Sequence, residues 1–153
     1  MDPSVTQPDR ILELDRYWPY QITVLADRIA RRTSRIVKHH GLNLSQWRVL
    51  AAIADQPGRT SVDVVTVTPM DKGIVSRATK ALLAMGLIHR TASQLDGRIS
   101  HLFLTDSGAD LYRSLIPEVE AIVLRAHTGL SSGKQAQLCE HLSDLLDVIP
   151  DLR

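Results

Sequence analysis

Aromatic residues and cysteine are scarce in this chain, and long apolar runs are missing. Only 4% of the 153 residues are aromatic, and there is one cysteine, Cys139. A lone thiol excludes an internal disulfide framework and fits a reducing compartment. Cys139 and His141 are too few for a zinc site, and no other His or Cys pair has ligand spacing, so no metal is expected. No stretch approaches the ~18 apolar residues of a membrane span. The first residues, with Asp2, Pro3 and Asp9, lack the basic and apolar regions of a secretion signal, so the expected location is the cytoplasm, with no membrane partner. Phosphate loops and dinucleotide fingerprints are absent as well. Ser131-x-x-Lys134 superficially matches a nucleophile–lysine pair, but it opens a helix, where Ser131 reads as a cap. No acid–base or nucleophile set assembles, and the sequence predicts neither an enzyme nor a bound cofactor.

What is present is an ordinary globular composition with an uneven charge distribution. Apolar residues make up 44% and charged residues 23%, for a net charge of +1. Between 27 and 48 lie Arg28, Arg31, Arg32, Arg35, Lys38 and Arg48 against Asp27 alone. Between 72 and 104 lie Lys72, Arg77, Lys80, Arg90 and Arg98 against Asp96. Residues 105–153 carry an acidic surplus. A basic centre with acidic flanks suggests one face meeting a polyanion, although a solvated helix surface produces the same pattern.

Hydrophobic spacing organises the chain. A helix is expected from about Pro19 to His40, ending at Gly41, with Ile22, Leu25, Ile29, Ile36 and Val37 on one face and arginines on the other. Ser45 is the expected cap of a second helix from Gln46 to about Asp55, broken by Pro57-Gly58. Ser61 is a cap candidate for the short segment to Val67, whose β-branched run has strand propensity. Asp71 to about Met85 forms the next helix, stopped by Gly86. Its buried face is Ile74, Val75, Ala78, Ala81, Leu82 and Met85. A strand (Leu87 to Ala92), a turn holding Asp96-Gly97-Arg98 and a returning strand (Ile99 to Leu104) follow. A long helix after Thr105 contains Pro117, which should kink or split it. A final helix starts at Ser131. The last two helices, with the first, carry more apolar surface than a small domain needs, which reads either as a dimer interface or as a thicker monomer core.

The chemistry concentrates in the helix–hairpin stretch from Met70 to Thr105. Lys72, Gly73, Ser76, Arg77 and Lys80 share the face opposite the apolar one. Short side chains for close approach and long cations for guanine edges and phosphates are what a major-groove helix requires. An amphipathic surface helix is the plain alternative, and the hairpin behind it shifts the balance. Arg98 sits at or near the hairpin tip, where a cation can enter a minor groove. Asp96 either orients it or serves the turn.

Helix, hairpin and Leu104-Thr105-x-x-Gly108 follow in the order of winged helix-turn-helix proteins. Gln46-Trp47-Arg48-Val49-Leu50, Met70-Asp71-Lys72-Gly73-Ile74-Val75-Ser76-Arg77 and the Asp96-Gly97-Arg98 turn resemble the MarR family of bacterial transcriptional regulators. The resemblance covers about Leu14 to Ile149. It implies a mainly α fold with a small β-hairpin wing: a DNA-binding lobe over 42–105 and dimerisation helices over 14–40 and 106–150, all within one 1–153 unit. It further implies a homodimer, most simply a repressor, on double-stranded DNA with a pseudo-palindromic operator. Lys72, Ser76 and Arg77 would then face the major groove. Ser45, Thr60, Ser61, Thr68 and Lys80 would be phosphate contacts, Arg98 the minor-groove arginine, and Asp71–Arg98 a bridge between recognition helix and wing. Ile99 stands where family members often carry a second wing arginine, which lowers the wing's charge.

The resemblance also implies a small aromatic or amphipathic effector in a cleft between the dimer helices and the lobe. Trp18, Tyr20, His39, Trp47 and Tyr112 are the groups available to line it, with core packing the alternative for each. A winged-helix module that binds protein without specific DNA recognition is the competing functional reading. Such a surface would more often expose aromatics than the basic stripe found here.

Overall fold

The computed structural model describes residues 8–94, 98–124 and 129–152. The elements are α1 (Trp18–His39), α2 (Leu44–Asp55), α3 (Ser61–Val67), α4 (Lys72–Ala84), β1 (Ile88–Ala92), β2 (Ser100–Leu104), α5 (Asp106–Leu124) and α6 (Ser132–Val148). This is a mainly helical winged-helix architecture with one antiparallel hairpin, in which Ile88 faces Leu104 and Ala92 faces Ser100. No helix among the described residues is long and apolar enough to cross a membrane. The Asp96-Gly97 turn and Ala126 lie outside the described residues.

α1 and α4 end alike. Gly41 and Gly86 take positive φ, 79° and 69°, where a Cβ would be strained. In each case the residue after the glycine reaches back five positions: Leu42 N–H donates to the Val37 carbonyl and Leu87 N–H to the Leu82 carbonyl, both at 3.0 Å. Two carbonyls that would otherwise lack partners are thereby satisfied. Each closure also buries an apolar pair, Leu42 with Val37 and Leu87 with Leu82. The glycines therefore turn the chain from α1 into the lobe and from α4 into the wing.

The core gathers around α2. Val49, Leu50 and Ile53 are wholly buried, together with Val37, Val64, Val75, Leu82, Leu102 and Leu115. At about 1.5–3 kcal/mol for each fully buried large aliphatic side chain, this cluster is the main favourable term holding the lobe together. Two further contacts join α5 to the rest. Trp47 stacks on Tyr112 at a centroid distance of 5.6 Å and 17° between planes. His40 Nε2 lies 2.8 Å from Glu118 Oε1, tying the end of α1 to α5.

Several local expectations are corrected. Asn43, not Ser45, caps α2: its Oδ1 accepts from Gln46 N–H at 2.9 Å while the Gln46 side chain accepts from Asn43 N–H at 2.8 Å. This reciprocal box leaves Ser45 inside the first turn. Thr60, not Ser61, caps α3 through the same device with Asp63. The box explains why Ser61 to Val67 is helical despite its β-branched residues. Pro117 neither ends nor divides α5, which runs from 106 to 124 without a break in its helical assignment. Buried Leu115 and half-buried Ile116 and Val119 hold that helix against the core on both sides of the proline. Met85 is exposed rather than buried, and Thr79 takes a buried place on α4.

The Leu-Thr-x-x-Gly motif acquires a physical explanation here. Thr105 donates its hydroxyl to the Gly86 carbonyl (2.6 Å) and its N–H to the Leu87 carbonyl (3.1 Å), and accepts from Gly108 N–H (3.1 Å). A Cβ at Gly108 would lie 1.9 Å from the Leu87 carbonyl oxygen. That neighbour is backbone and cannot step aside. Gly108→Ala is therefore expected to lower stability by roughly 1–3 kcal/mol, the usual range for overpacking, read as a drop in the denaturation midpoint.

The α3 box carries a pH signature. Hydrogen bonds from the Thr60 N–H and hydroxyl hold the Asp63 carboxyl below its usual range, helped by Arg59 and His101 and opposed by desolvation. A lowered folded-state pKa means that the stabilisation is complete above the unfolded carboxylate pKa. It is lost as pH falls through the folded value. Asp63→Asn should therefore be less stable than wild type at neutral pH. The gap should close in thermal melts taken progressively below the ordinary carboxylate range.

Candidate nucleic-acid interface

Helix α4 starts where Asp71 places Oδ1 2.7 Å from the Ile74 N–H. From that cap the helix turns one face inward, with Val75, Ala78, Thr79 and Leu82 buried. Lys72, Gly73, Ser76, Arg77 and Lys80 are all exposed on the opposite face. The spacing of 72, 76 and 80, with 73 and 77, is that of one helical stripe. Three cations and two small residues on a free helix face can meet an anionic groove without moving any core group.

The hairpin projects beside this helix. β2 is tied to the segment after α2 by two backbone bonds, Gly58 N–H to the Leu102 carbonyl (2.9 Å) and Leu102 N–H to the Arg59 carbonyl (3.0 Å). His101 Nδ1 lies 2.8 Å from the Gly58 carbonyl oxygen. Arg59, which the sequence did not single out, donates from Nη1 to the Ala52 carbonyl at 2.6 Å and pairs through Nη2 with Asp55 at 2.9 Å. It closes the C-terminal end of α2 under the wing. Arg98 is exposed at the distal end of the hairpin, and Arg90 and Thr91 are exposed on β1.

The remaining candidate residues divide. Ser61 is exposed in the first turn of α3 and Ser45 is half-buried. The Thr60 hydroxyl is engaged with Asp63 in both directions, accepting from its N–H at 3.2 Å and donating to Oδ2 at 2.8 Å. Thr68 is buried and donates to the Val64 carbonyl at 2.6 Å, so its hydroxyl faces the protein and not a phosphate. Asp71 serves the helix cap through Oδ1. The cleft candidates also separate. Trp47 and Tyr112 are stacked together, whereas Trp18 and Tyr20 are exposed at the far end of α1. His39 is exposed at its near end, roughly 30 Å away along a 22-residue helix. Within one chain these five do not line a common cavity.

A stripe of cations on the second helix of a helix-turn-helix, flanked by a hairpin, is the arrangement a sequence comparison can test. Residues 40–99, which contain α2 to β1, match the sequence model of the MarR family. Over these residues the chain is similar to the MarR family.

Individual proteins show a similar likeness. It is 30% identical over 92 residues to the HTH-type transcriptional regulator PetP of Rhodobacter capsulatus, a match covering 60% of this chain and 55% of PetP. The chain thus spans little more than half the length of that relative. The fold likeness extends further. A MarR-family transcriptional regulator from Silicibacter pomeroyi superposes with a TM-score of 0.84 at 23% identity, covering 94% of this chain and all of that one. Bordetella bronchiseptica BpsR, whose DNA binding is regulated by 6-hydroxynicotinic acid, superposes at 0.77 with 22% identity, covering 92% of this chain and all of BpsR.

The Asp71 cap can be tested without DNA. Asp71→Ala should lower unfolding free energy by about 1 kcal/mol, and Asp71→Asn should retain most of it because asparagine caps equally well. Urea denaturation of the three proteins reads the difference.

Proposed function

We propose that this protein is a DNA-binding transcriptional regulator of the MarR family, acting as a homodimeric repressor on a pseudo-palindromic operator. The observation that carries this reading is the exposed Lys72–Ser76–Arg77–Lys80 stripe on α4, beside a hairpin ending near the exposed Arg98. Lys72, Ser76 and Arg77 read base edges, Lys80, Ser45 and Ser61 meet phosphates, and Arg98 enters the minor groove. The Asp71–Arg98 bridge belongs to the DNA-bound state, in which the wing closes against the recognition helix.

Dimerisation uses the terminal helices. Ile22, Leu25 and Ile29 on α1 and Leu138, Leu142 and Leu146 on α6 are exposed apolar residues, which supports an interface there. Two recognition helices related by a twofold axis then meet half-sites one turn apart, ~34–36 Å. A small effector favours a lobe separation that no longer fits this spacing, and DNA is released by population shift. The effector dependence of BpsR supports a ligand of comparable size and amphipathic character.

A mobility-shift titration on the DNA beside the protein's own gene, with competitor and at two salt concentrations, tests the reading. A saturable, dimer-sized, salt-sensitive shift is expected, and binding equal to that of random DNA would overturn it. Arg77→Ala should cost about 1–3 kcal/mol on the specific site and relax its sequence preference. Lys80→Ala should weaken all sequences alike and lower the salt slope by about one. Asp71→Asn, which keeps the cap, should weaken the operator complex if the bridge to Arg98 forms. Unchanged affinity would leave the bridge without a role.

A further inference from the structure

We propose that Ile99 makes the hairpin select against G·C pairs, by laying an apolar side chain on the minor-groove floor where guanine alone carries an amino group. The inference rests on the regulator reading above and gives the wing a base preference of its own.

Ile99 is fixed by its backbone and left open at its side chain. Its carbonyl accepts from the Ser93 N–H at 2.8 Å, one step beyond the Ala92–Ser100 pair, so the hairpin ladder holds it. Side chains alternate along a strand, which puts Ile99 in one row with His101 and Phe103. The inner members of that row are anchored. The Phe103 ring lies over Gly58, where an added Cβ would be 3.5 Å from it, and His101 Nδ1 is 2.8 Å from the Gly58 carbonyl oxygen. Phe103 also stacks on His89 with ring centroids 5.5 Å apart. His101 and Phe103 are half-buried, whereas Ile99 keeps 42% of its surface exposed. The row thus runs outward from the lobe and ends in an aliphatic side chain next to exposed Arg98.

That ending has a chemical consequence in a minor groove. A·T and T·A pairs present only acceptors there, and G·C adds the guanine N2 amino donor. Isoleucine can accept nothing from that amino group, which then loses water without gaining a partner. Adenine carries only a hydrogen on carbon at the same place. The β-branched side chain has little rotamer freedom to lose on insertion, and isoleucine is among the apolar residues that minor-groove proteins insert. Arg98 beside it favours A·T for a different reason, since a narrow A·T-rich groove concentrates negative potential. Salt screens the second contribution and leaves the first in place.

Anisotropy titrations of the full chain test the inference, on duplexes that the chain itself selects from a random pool. Each pair flanking the half-sites is replaced in turn by G·C or by inosine·C. These two pairs share one major groove and differ by the N2 amino group alone. At the wing's position G·C should bind about fivefold or more weaker than inosine·C, the lower end of the cost of one wrong pair. Ile99→Ala should bring the two together. Ile99→Asn should do the same, because its amide oxygen can accept from the amino group. Neither substitution alters a charge, so the salt slope should hold, whereas Arg98→Gln should lower it by about one. Equal binding of inosine·C and G·C at every flanking pair by the wild type, a comparison that needs no variant, would overturn the inference and leave the regulator in place. So would a G·C penalty that persists in Ile99→Ala, since it would belong to Arg98 and groove shape. Selection that yields no preferred duplex would remove the regulator reading and the base preference with it.

Discussion

One backbone carbonyl, that of Leu87, is the point on which three elements converge. It follows the glycine that ends α4, it precedes β1, and it receives the Thr105 N–H at the start of α5. The bare Cα of Gly108 presses against the same oxygen, and the Thr105 hydroxyl secures the Gly86 carbonyl beside it. Recognition helix, wing and α5 therefore share a single fixed origin. Hydrogen bonds of 2.6–3.1 Å join these elements there, alongside the packing of the core. Because α5 also packs on α1 and α2, the orientation of α4 is referred through this junction to the rest of the chain.

The exposed cationic stripe of α4 has no part in that framework. Lys72, Ser76, Arg77 and Lys80 are exposed, and the buried side of their helix does the packing. Affinity and specificity can thus be altered at the surface with little effect on folding, since changes at exposed positions away from caps and buried contacts usually stay within about 0.5 kcal/mol. Asp71 and Thr60 are the exceptions among the candidate residues, because they close helix ends. A polar side chain at a helix start serves the backbone first, and only its remaining hydrogen-bonding capacity is available to a phosphate.

Much of this arrangement was legible in the residues, and the parts that were not share a cause. Helix periods, the two terminating glycines and the hairpin are local patterns, and they placed α1, α4, β1 and β2 to within a residue or two. Caps were missed where two polar residues compete within two positions. Asn43 prevails over Ser45 because Gln46 can reciprocate, and Thr60 over Ser61 because Asp63 can. Pro117 was expected to interrupt α5, but burial on either side of it outweighs one lost backbone bond. The exposure of the cationic stripe on α4 could be read from period alone. The His40–Glu118 contact could not, because it depends on residues 78 positions apart becoming neighbours. Composition reports a hydroxyl at Thr68, and only the fold reports that it donates to the Val64 carbonyl.

Helix α6 has a Ser131 cap and 17 residues, yet none of them is buried. An isolated helix of that length is marginal in water, since its hydrogen bonds barely offset the entropy of ordering its backbone. Amide protons of the lobe are shielded by a core that opens only with global unfolding, whereas those of α6 in a lone chain would exchange on the timescale of helix fraying. The chain thus divides into a part whose order is intrinsic and a part whose order depends on what covers it. If the cover is a second copy, protection of α6 becomes a function of protein concentration while that of the lobe does not.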